Sequence, residues 1–269
     1  MTSPLAAPHP WDLVAPAYAA ELVPEFESFA RAALELAAIA PPARVVDVAC
    51  GPGTLTILAA REGHEVSALD FSPKMVAELR ARIDSQGLAS KVDVTPGDGM
   101  ALPYADASFD AGFSMFGLMF FPDRGKGFRE LLRVVKPGAP VVVSSWVPLD
   151  RVGFLAAAFA AMNDLLPPPP GAPPFKPPLA HAEECIAEMR DAGFRDVAVH
   201  EVTHQAAVAA IADGWASMVR TSAPFALRKA ALGERWAAIS SGILEKLRAK
   251  LGDGPLSMTM PALVTIGRK

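Results

Sequence analysis

Three aspartates set beside glycine-bearing turns are the residues of this chain best suited to chemistry. Asp47 lies inside the apolar run Val45-Val46-Asp47-Val48-Ala49, which breaks into Cys50-Gly51-Pro52-Gly53-Thr54. Asp70 closes a second run, Glu65-Val66-Ser67-Ala68-Leu69, and Asp98 stands between Gly97 and Gly99, ahead of Met100. Glycines at 51 and 53 let the backbone approach a ligand closely and adopt torsions closed to other residues. A helix opening at Thr54 presents free N–H groups to the same place. A carboxylate at the tip of the next strand can accept both hydroxyls of a ribose, each charge-assisted bond contributing about 1.5–3 kcal/mol. Together these residues describe a nucleoside-binding site.

Asp47 has lone pairs enough to hold the loop N–H groups and also to place negative charge beside a cationic ligand. Asp98 is placed to accept an adenine amino group, with Phe71 and Met100 on the two faces of the ring. Each has a structural alternative. Asp70 also suits capping of the helix that Ser72-Pro73 opens, and Asp98 also suits a plain turn. A dinucleotide loop needs a third small residue where this chain has Thr56, and no G-K-[ST] follows, which removes phosphate cradling of the P-loop kind.

The elements that must position these residues alternate. Strands are expected at Arg44–Ala49, Glu65–Leu69, Lys91–Thr95, Phe109–Ser114 and Pro140–Trp146, each short, apolar and continuous, as buried parallel strands are. Helices are expected at Pro24–Ile39, at Thr54–Arg61, after Ser72-Pro73 and over Gly127–Val135, with Gly63 closing the second as a C-cap. Such alternation means an α/β fold with a parallel sheet covered on both faces. Beyond Trp146 the pattern changes: a helix over Gly153–Leu166, then the proline-rich tract 167–178, which reads as a stiff spacer ahead of a lid or as a docking segment. Helix His181–Asp191 and strand Asp196–Val202 resume the rhythm. Residues 205–250 read as mostly helical, with Trp215, Met218, Phe225 and Trp236 on apolar positions, and Pro261–Gly267 as a closing strand.

At 269 residues, 51% of them hydrophobic, the chain can bury a sizeable core. A net charge of −4 argues against a nucleic-acid partner. Cys50 and Cys185 lie far apart without metal-ligand spacing, so neither a metal nor a disulfide is expected. No secretory signal and no membrane-spanning run is expected, and a cytoplasmic protein follows as the expectation. The oligomeric state, a homodimer included, stays open.

The order V-D-V-A-C-G-P-G-T, A-L-D-F-S-P-K-M, G-D-G-M-A-L-P-Y-A-D-A-S-F-D and R-E-L-L-R-V-V-K-P-G-A resembles the class I S-adenosylmethionine-dependent methyltransferases. Within them it is similar to the small-molecule branch that includes the ubiquinone/menaquinone-type C-methyltransferases. The likeness is close from Arg44 to Trp146 and looser over Glu183–Val199 and the last strand. It implies a Rossmann-like seven-stranded sheet, order 3-2-1-4-5-7-6 with the last strand antiparallel, and S-adenosyl-L-methionine held at the carboxyl ends of strands one to four. By position, Asp47, Ala49, Gly51 and Gly53 would face the methionine part, Asp70 the ribose, and Phe71, Asp98 and Met100 the adenine. Ser114 would lie beside the sulfonium, and Thr54, Met75 and Gly99 complete the expected cofactor set. Gly99 and Met100 depart from the alanines this branch often carries.

Domain boundaries follow: a helical segment covering the site (1–40), the cofactor core (41–149), a helix and proline-rich linker (150–180), a core helix and strand (181–202), a helical cap (203–258) and a closing strand (259–269). Tyr18, Met115, Phe116 and Trp146 are the expected acceptor-binding residues, which suggests an apolar or aromatic small-molecule acceptor. No catalytic base declares itself; His181, His204, Tyr18 and Asp12 are the candidates. The alternatives are a nicotinamide-dependent oxidoreductase and a regulatory protein that holds the cofactor without turnover.

Overall fold

The computed structural model describes residues 3–167 and 176–269. The expectation for the middle of the proline-rich tract, residues 168–175, lies outside the described residues. Seven strands form one sheet: β1 (Arg44–Val48), β2 (Glu65–Asp70), β3 (Val92–Pro96), β4 (Ala111–Met115), β5 (Pro140–Trp146), β6 (Arg195–Val208) and β7 (Leu256–Arg268), in spatial order β3-β2-β1-β4-β5-β7-β6. The first five pair in parallel, and β7 runs antiparallel to both β5 and β6. Chain order reverses direction across the sheet at β1, whose neighbours are β2 and β4. Such a switch point leaves a crevice beyond the strands' carboxyl ends.

Side-chain alternation decides what each face meets. On β1, Val45 and Asp47 point to one face; Val45 packs there with α2 (Val23–Ala37) and α3 (Thr54–Arg61) through Ala33, Leu34, Leu55 and Ala59. Val46 and Val48 point to the other, against Phe128, Leu131 and Val134 of α5 (Arg124–Val134) and Met189 of α7 (Ala182–Asp191). These side chains are buried, those larger than alanine each contributing about 1.5–3 kcal/mol. The helix α4 (Pro73–Ser85) packs Leu79 and Ile83 beside Ala68 of β2. A separate core holds the cap: α6 (Gly153–Leu165), α8 (Ile211–Thr221), α9 (Ala223–Leu232) and α10 (Trp236–Leu251) meet around Phe154, Trp215, Phe225 and Trp236.

Element bounds differ from expectation where a side chain intervenes. The helix α5 begins at Arg124 rather than Gly127, because the Asp123 carboxylate caps the Lys126 N–H at 2.8 Å. Strand β4 begins at Ala111, because Asp110 turns its carboxylate to the Arg44 N–H (2.8 Å) and Lys136 (2.6 Å). The largest difference is β6, which runs on to Val208 and pairs with β7 from Leu256 to Pro261. Residues 203–208 and 256–258 are therefore sheet, and the helical part of the cap starts at Ile211. Polar and small residues such as His204, Gln205 and Ala206 carry little strand propensity; pairing with β7 supplies it.

The N-terminal segment covers the carboxyl ends of the strands with α1 (His9–Ala17), a π-helical turn (Tyr18–Leu22) and the start of α2, whose later turns pack on the sheet face. Among the described residues no helix is long and apolar enough to cross a membrane.

Candidate functional site

The loop between β1 and α3 is built from left-handed residues in alternation, with φ +56° at Ala49, +54° at Gly51 and +84° at Gly53. Ala49 is the strained member, since a Cβ there costs roughly 1–2 kcal/mol. The Asp70 carboxylate spans the next turn: Oδ2 accepts the Gly51 N–H and Oδ1 the Ser72 N–H, both at 2.8 Å. The glycine loop, the tip of β2 and the start of α4 are thus tied through one side chain.

Asp47 shares the α3 face of β1, and that is why Thr56 stands where a dinucleotide loop has a small residue. The Thr56 hydroxyl donates to Asp47 Oδ2 at 2.6 Å. Asp47 Oδ1 is buried without a partner, and Asp47 lines the cavity. Burial pushes its carboxyl up to about 7, opposed by the Thr56 bond and aided by the charge of Asp70. Burial likewise raises Asp70 to about 6, opposed by the N–H groups of Ser72 and Gly51 and aided by Asp12. Two buried carboxylates face one chamber that no cationic side chain lines among the described residues, a state that a cationic ligand relieves.

The cavity at the strands' carboxyl ends measures about 310 Å³. On the side nearest the tips of β2 and β3 it is bounded by Asp70, Phe71, Asp98, Gly99, Met100 and Phe121. The Asp98 carboxylate accepts the Met100 N–H at 2.8 Å, so it shapes its own turn. Gly99 is required by close approach: a Cβ there would lie 2.4 Å from the Phe121 ring and 2.8 Å from Val48. At the other end, Tyr18, Phe26 and Ala30 descend from the N-terminal segment onto Met115 and Phe116. Phe116, at φ +57°, stacks on Trp146 with centroids 4.4 Å apart, and Phe26 meets both rings at 5.2 and 5.6 Å. Among the described lining residues the charged groups are Asp47, Asp70 and Asp98 alone.

Of the residues expected to hold a cofactor, Asp47, Ala49, Gly51, Thr54, Asp70, Phe71, Met75, Asp98, Gly99 and Met100 line this cavity. Gly53 and Ser114 do not. The α-face of Gly53 is turned to Leu79, where a Cβ would sit 2.2 Å from Cδ1, so it serves the packing of α3 on α4. Ser114 is buried, with its hydroxyl accepting the Leu118 N–H at 3.2 Å. Of the acceptor set, Tyr18, Met115 and Phe116 line the cavity, and Trp146 stands behind Phe116.

The candidate bases are placed elsewhere, except Tyr18. His181 precedes α7, and His204 of β6 bridges Glu25 (2.7 Å) and Ser28 (3.2 Å) where α2 packs on the sheet, its ring 6.2 Å from Phe29 and outside the cavity lining. Asp12 accepts the Ser72 hydroxyl at 2.6 Å and the Lys74 N–H at 3.1 Å, latching α1 to the start of α4. The Tyr18 hydroxyl is held protonated, its pKa raised by burial and by Asp70. Thr56, Trp11 and Phe26 are contributors that sequence reasoning did not single out as site residues. Thr56 carried a signal, as a hydroxyl one helical turn past a glycine pair; the two rings carried none, because their distance in sequence from the loop is closed only by the fold. Among the described residues no cluster of three or more His, Cys, Asp or Glu could hold a metal ion.

Residues 45–138 match the family model described as a methyltransferase domain. The demethylmenaquinone methyltransferase of Desulfitobacterium hafniense is 33% identical over 130 residues, 47% of this chain and 51% of that protein. The chain spans about half the length of the curated relatives it matches. Among solved structures, phosphoethanolamine N-methyltransferase 2 of Haemonchus contortus, determined with S-adenosylhomocysteine, superposes with a TM-score of 0.60 at 19% identity, covering 94% of this chain and 56% of that one. The [4+2]-cyclase SpnF gives 0.59 at 22% identity, covering 90% and 81%. At these identities the superpositions speak for the fold alone. Residues 45–138 thus match a methyltransferase domain, and the chain that carries them has the seven-stranded sheet order of the class I methyltransferase fold.

Proposed function

We propose that this protein transfers a methyl group from S-adenosylmethionine to an uncharged, apolar, ring-bearing small molecule. The observation that carries the cofactor half is the partnerless, buried Asp47 Oδ1 at the methionine end of a cavity whose charged lining is wholly acidic. An amino-acid ammonium there would satisfy that oxygen. Asp70 keeps lone pairs free for ribose hydroxyls beyond its two backbone bonds. Phe71, Met100 and the Gly99 backbone offer the surfaces for a purine, with Asp98 at its edge.

When bound, the cofactor supplies a methyl on a positively charged sulfur, an electrophile that needs no acid catalyst. What the chain contributes is alignment and exclusion of water. Tyr18, Phe26 and Phe116 close the acceptor end with apolar surface. The Tyr18 hydroxyl, kept protonated, is a hydrogen-bond donor rather than a base. No histidine, lysine or arginine lines the cavity among the described residues, so a phosphate or carboxylate on the acceptor would be buried unpaired, at a cost of several kcal/mol. The similarity to demethylmenaquinone methyltransferases over half their length supports a quinol-like ring as the acceptor.

A second reading is a protein that holds the cofactor without turnover, favoured by the packing of Phe26, Phe29, Phe116 and Trp146 against one another where an acceptor would enter. One experiment separates these readings. Calorimetry with S-adenosylhomocysteine and with NADH comes first, followed by incubation with methyl-labelled S-adenosylmethionine and 1,4-naphthohydroquinone. Binding of the nucleoside thioether and label in the naphthalene product is the expected result. Binding without label transfer to this or other neutral phenols supports the second reading, and stabilisation by NADH alone sinks both.

A further inference from the structure

The π-helical turn that carries Tyr18 has a local cause. Pro24 offers no N–H to the Ala20 carbonyl, and the Val23 N–H reaches the Tyr18 carbonyl instead. One side of the turn belongs to the cavity: Tyr18 lines it, meets Phe26 edge-on at 5.9 Å, and lies close enough to Asp70 to feel its charge. The other side belongs to the cap. Glu21 accepts the Ser217 hydroxyl at 2.5 Å, Arg220 Nε at 2.8 Å and Arg220 Nη2 at 3.0 Å. Neither Ser217 nor Arg220 touches the cavity.

The helix that presents them is a firm anchor. Trp215 of α8 is buried, its ring 5.2 Å from Phe225 and 6.2 Å from Trp236, and its Nε1 donates to Ser240 of α10 at 3.0 Å. The carboxylate of Glu21 is held low by the Arg220 bond above all. We propose that Arg220, half exposed and remote from the site, is a positioning residue: by fixing Glu21 it holds the turn in register and so sets where Tyr18 stands in the cavity. The choice of probe below rests on the cofactor reading; the positional claim does not. An isolated exposed ion pair shifts an equilibrium by only about two- to fivefold, and that is the size of effect to look for.

The test uses the full chain and three variants: Arg220→Ala, Arg220→Lys, and the charge swap Glu21→Arg with Arg220→Glu. Two quantities are read: hydrogen exchange of the amides of residues 18–23, and the dissociation rate of S-adenosylhomocysteine by stopped flow. Arg220→Ala is expected to speed both by about two- to fivefold. Arg220→Lys, which keeps the charge but not the fork, is expected to fall between, and the swap to restore most of the wild-type rates. A purely structural role would lower the melting temperature and leave the dissociation rate alone, and that result overturns the proposal. Unchanged exchange in Arg220→Ala overturns it too; should that variant not fold, Arg220→Lys decides on the same two criteria. If the wild-type chain does not bind S-adenosylhomocysteine, the cofactor reading fails and the exchange measurement alone decides the positional claim.

Discussion

Asp70 Oδ2 and the Gly51 N–H are 2.8 Å apart, so the group best placed to grip a ribose is also a strut of the glycine loop. Its other oxygen holds the Ser72 N–H. Replacement by Asn keeps one acceptor and loses the charge, so both functions weaken together. Asp70→Asn is expected to reduce affinity for S-adenosylhomocysteine by a hundredfold or more, about 3 kcal/mol for two charge-assisted bonds. Calorimetry checks this, and an affinity within tenfold of wild type would remove the ribose role.

The buried carboxyls make stability depend on pH in an unusual direction. Asp47 (about 7) and Asp70 (about 6) hold their protons more tightly folded than unfolded. The folded chain therefore binds more protons between about pH 4 and 7, and its stability falls as pH rises through that window, by a few kcal/mol. Glu21, Asp110, Glu130 and Glu201 are shifted the other way by their cationic partners, so their contribution is lost below about pH 4.5. Urea unfolding of the ligand-free protein is expected to give greater stability at pH 5.5 than at pH 8.

Ligand binding should reverse that dependence. A cation beside Asp47 favours its ionised form, so binding releases protons and affinity rises from pH 5.5 to 8. Calorimetry in buffers of different ionisation enthalpy measures the protons directly; uptake rather than release would contradict the pairing.

Asp47→Asn separates stability from binding. The amide oxygen can still accept the Thr56 hydroxyl, which donates to Asp47 Oδ2 at 2.6 Å, and the buried charge disappears. At pH 8 the variant is expected to melt several degrees higher than wild type without ligand and to bind S-adenosylmethionine at least tenfold more weakly. A fall in both quantities would mean that the charge itself supports the fold.

Ala49 and Gly117 test the loop's backbone. Ala49→Gly relieves a Cβ at φ +56° and is expected to stabilise the ligand-free protein by about 0.5–1 kcal/mol. Gly117→Ala places a Cβ 2.4 Å from that of Ala49, an overpacking worth about 1–3 kcal/mol. Because the clash is mainly with the Ala49 methyl, the second substitution is expected to cost less in the Ala49→Gly background, and a double-mutant cycle reads the coupling.

Much of this architecture was legible before any coordinates. The strand Pro140–Trp146 and the helix Thr54–Arg61 were bounded as found, because period, capping and glycine chemistry are local properties. The Asp47, Gly51, Asp70 and Asp98 constellation was legible for the same reason: short-range motifs place each at a strand end or turn. Hidden from the sequence were contacts between distant segments. Phe26, with Tyr18 edge-on to it, meets Phe116 only because the N-terminal helices fold back across the sheet, and β6 extends to Val208 only because β7 runs beside it. Gly53 and Ser114 turned from the cavity because strand and helix faces alternate, and which face meets the ligand is decided by what packs on the other. Local chemistry wrote the loop; the chamber it opens into, the aromatic wall and the clamp on Glu21 were settled by packing between elements far apart in the chain.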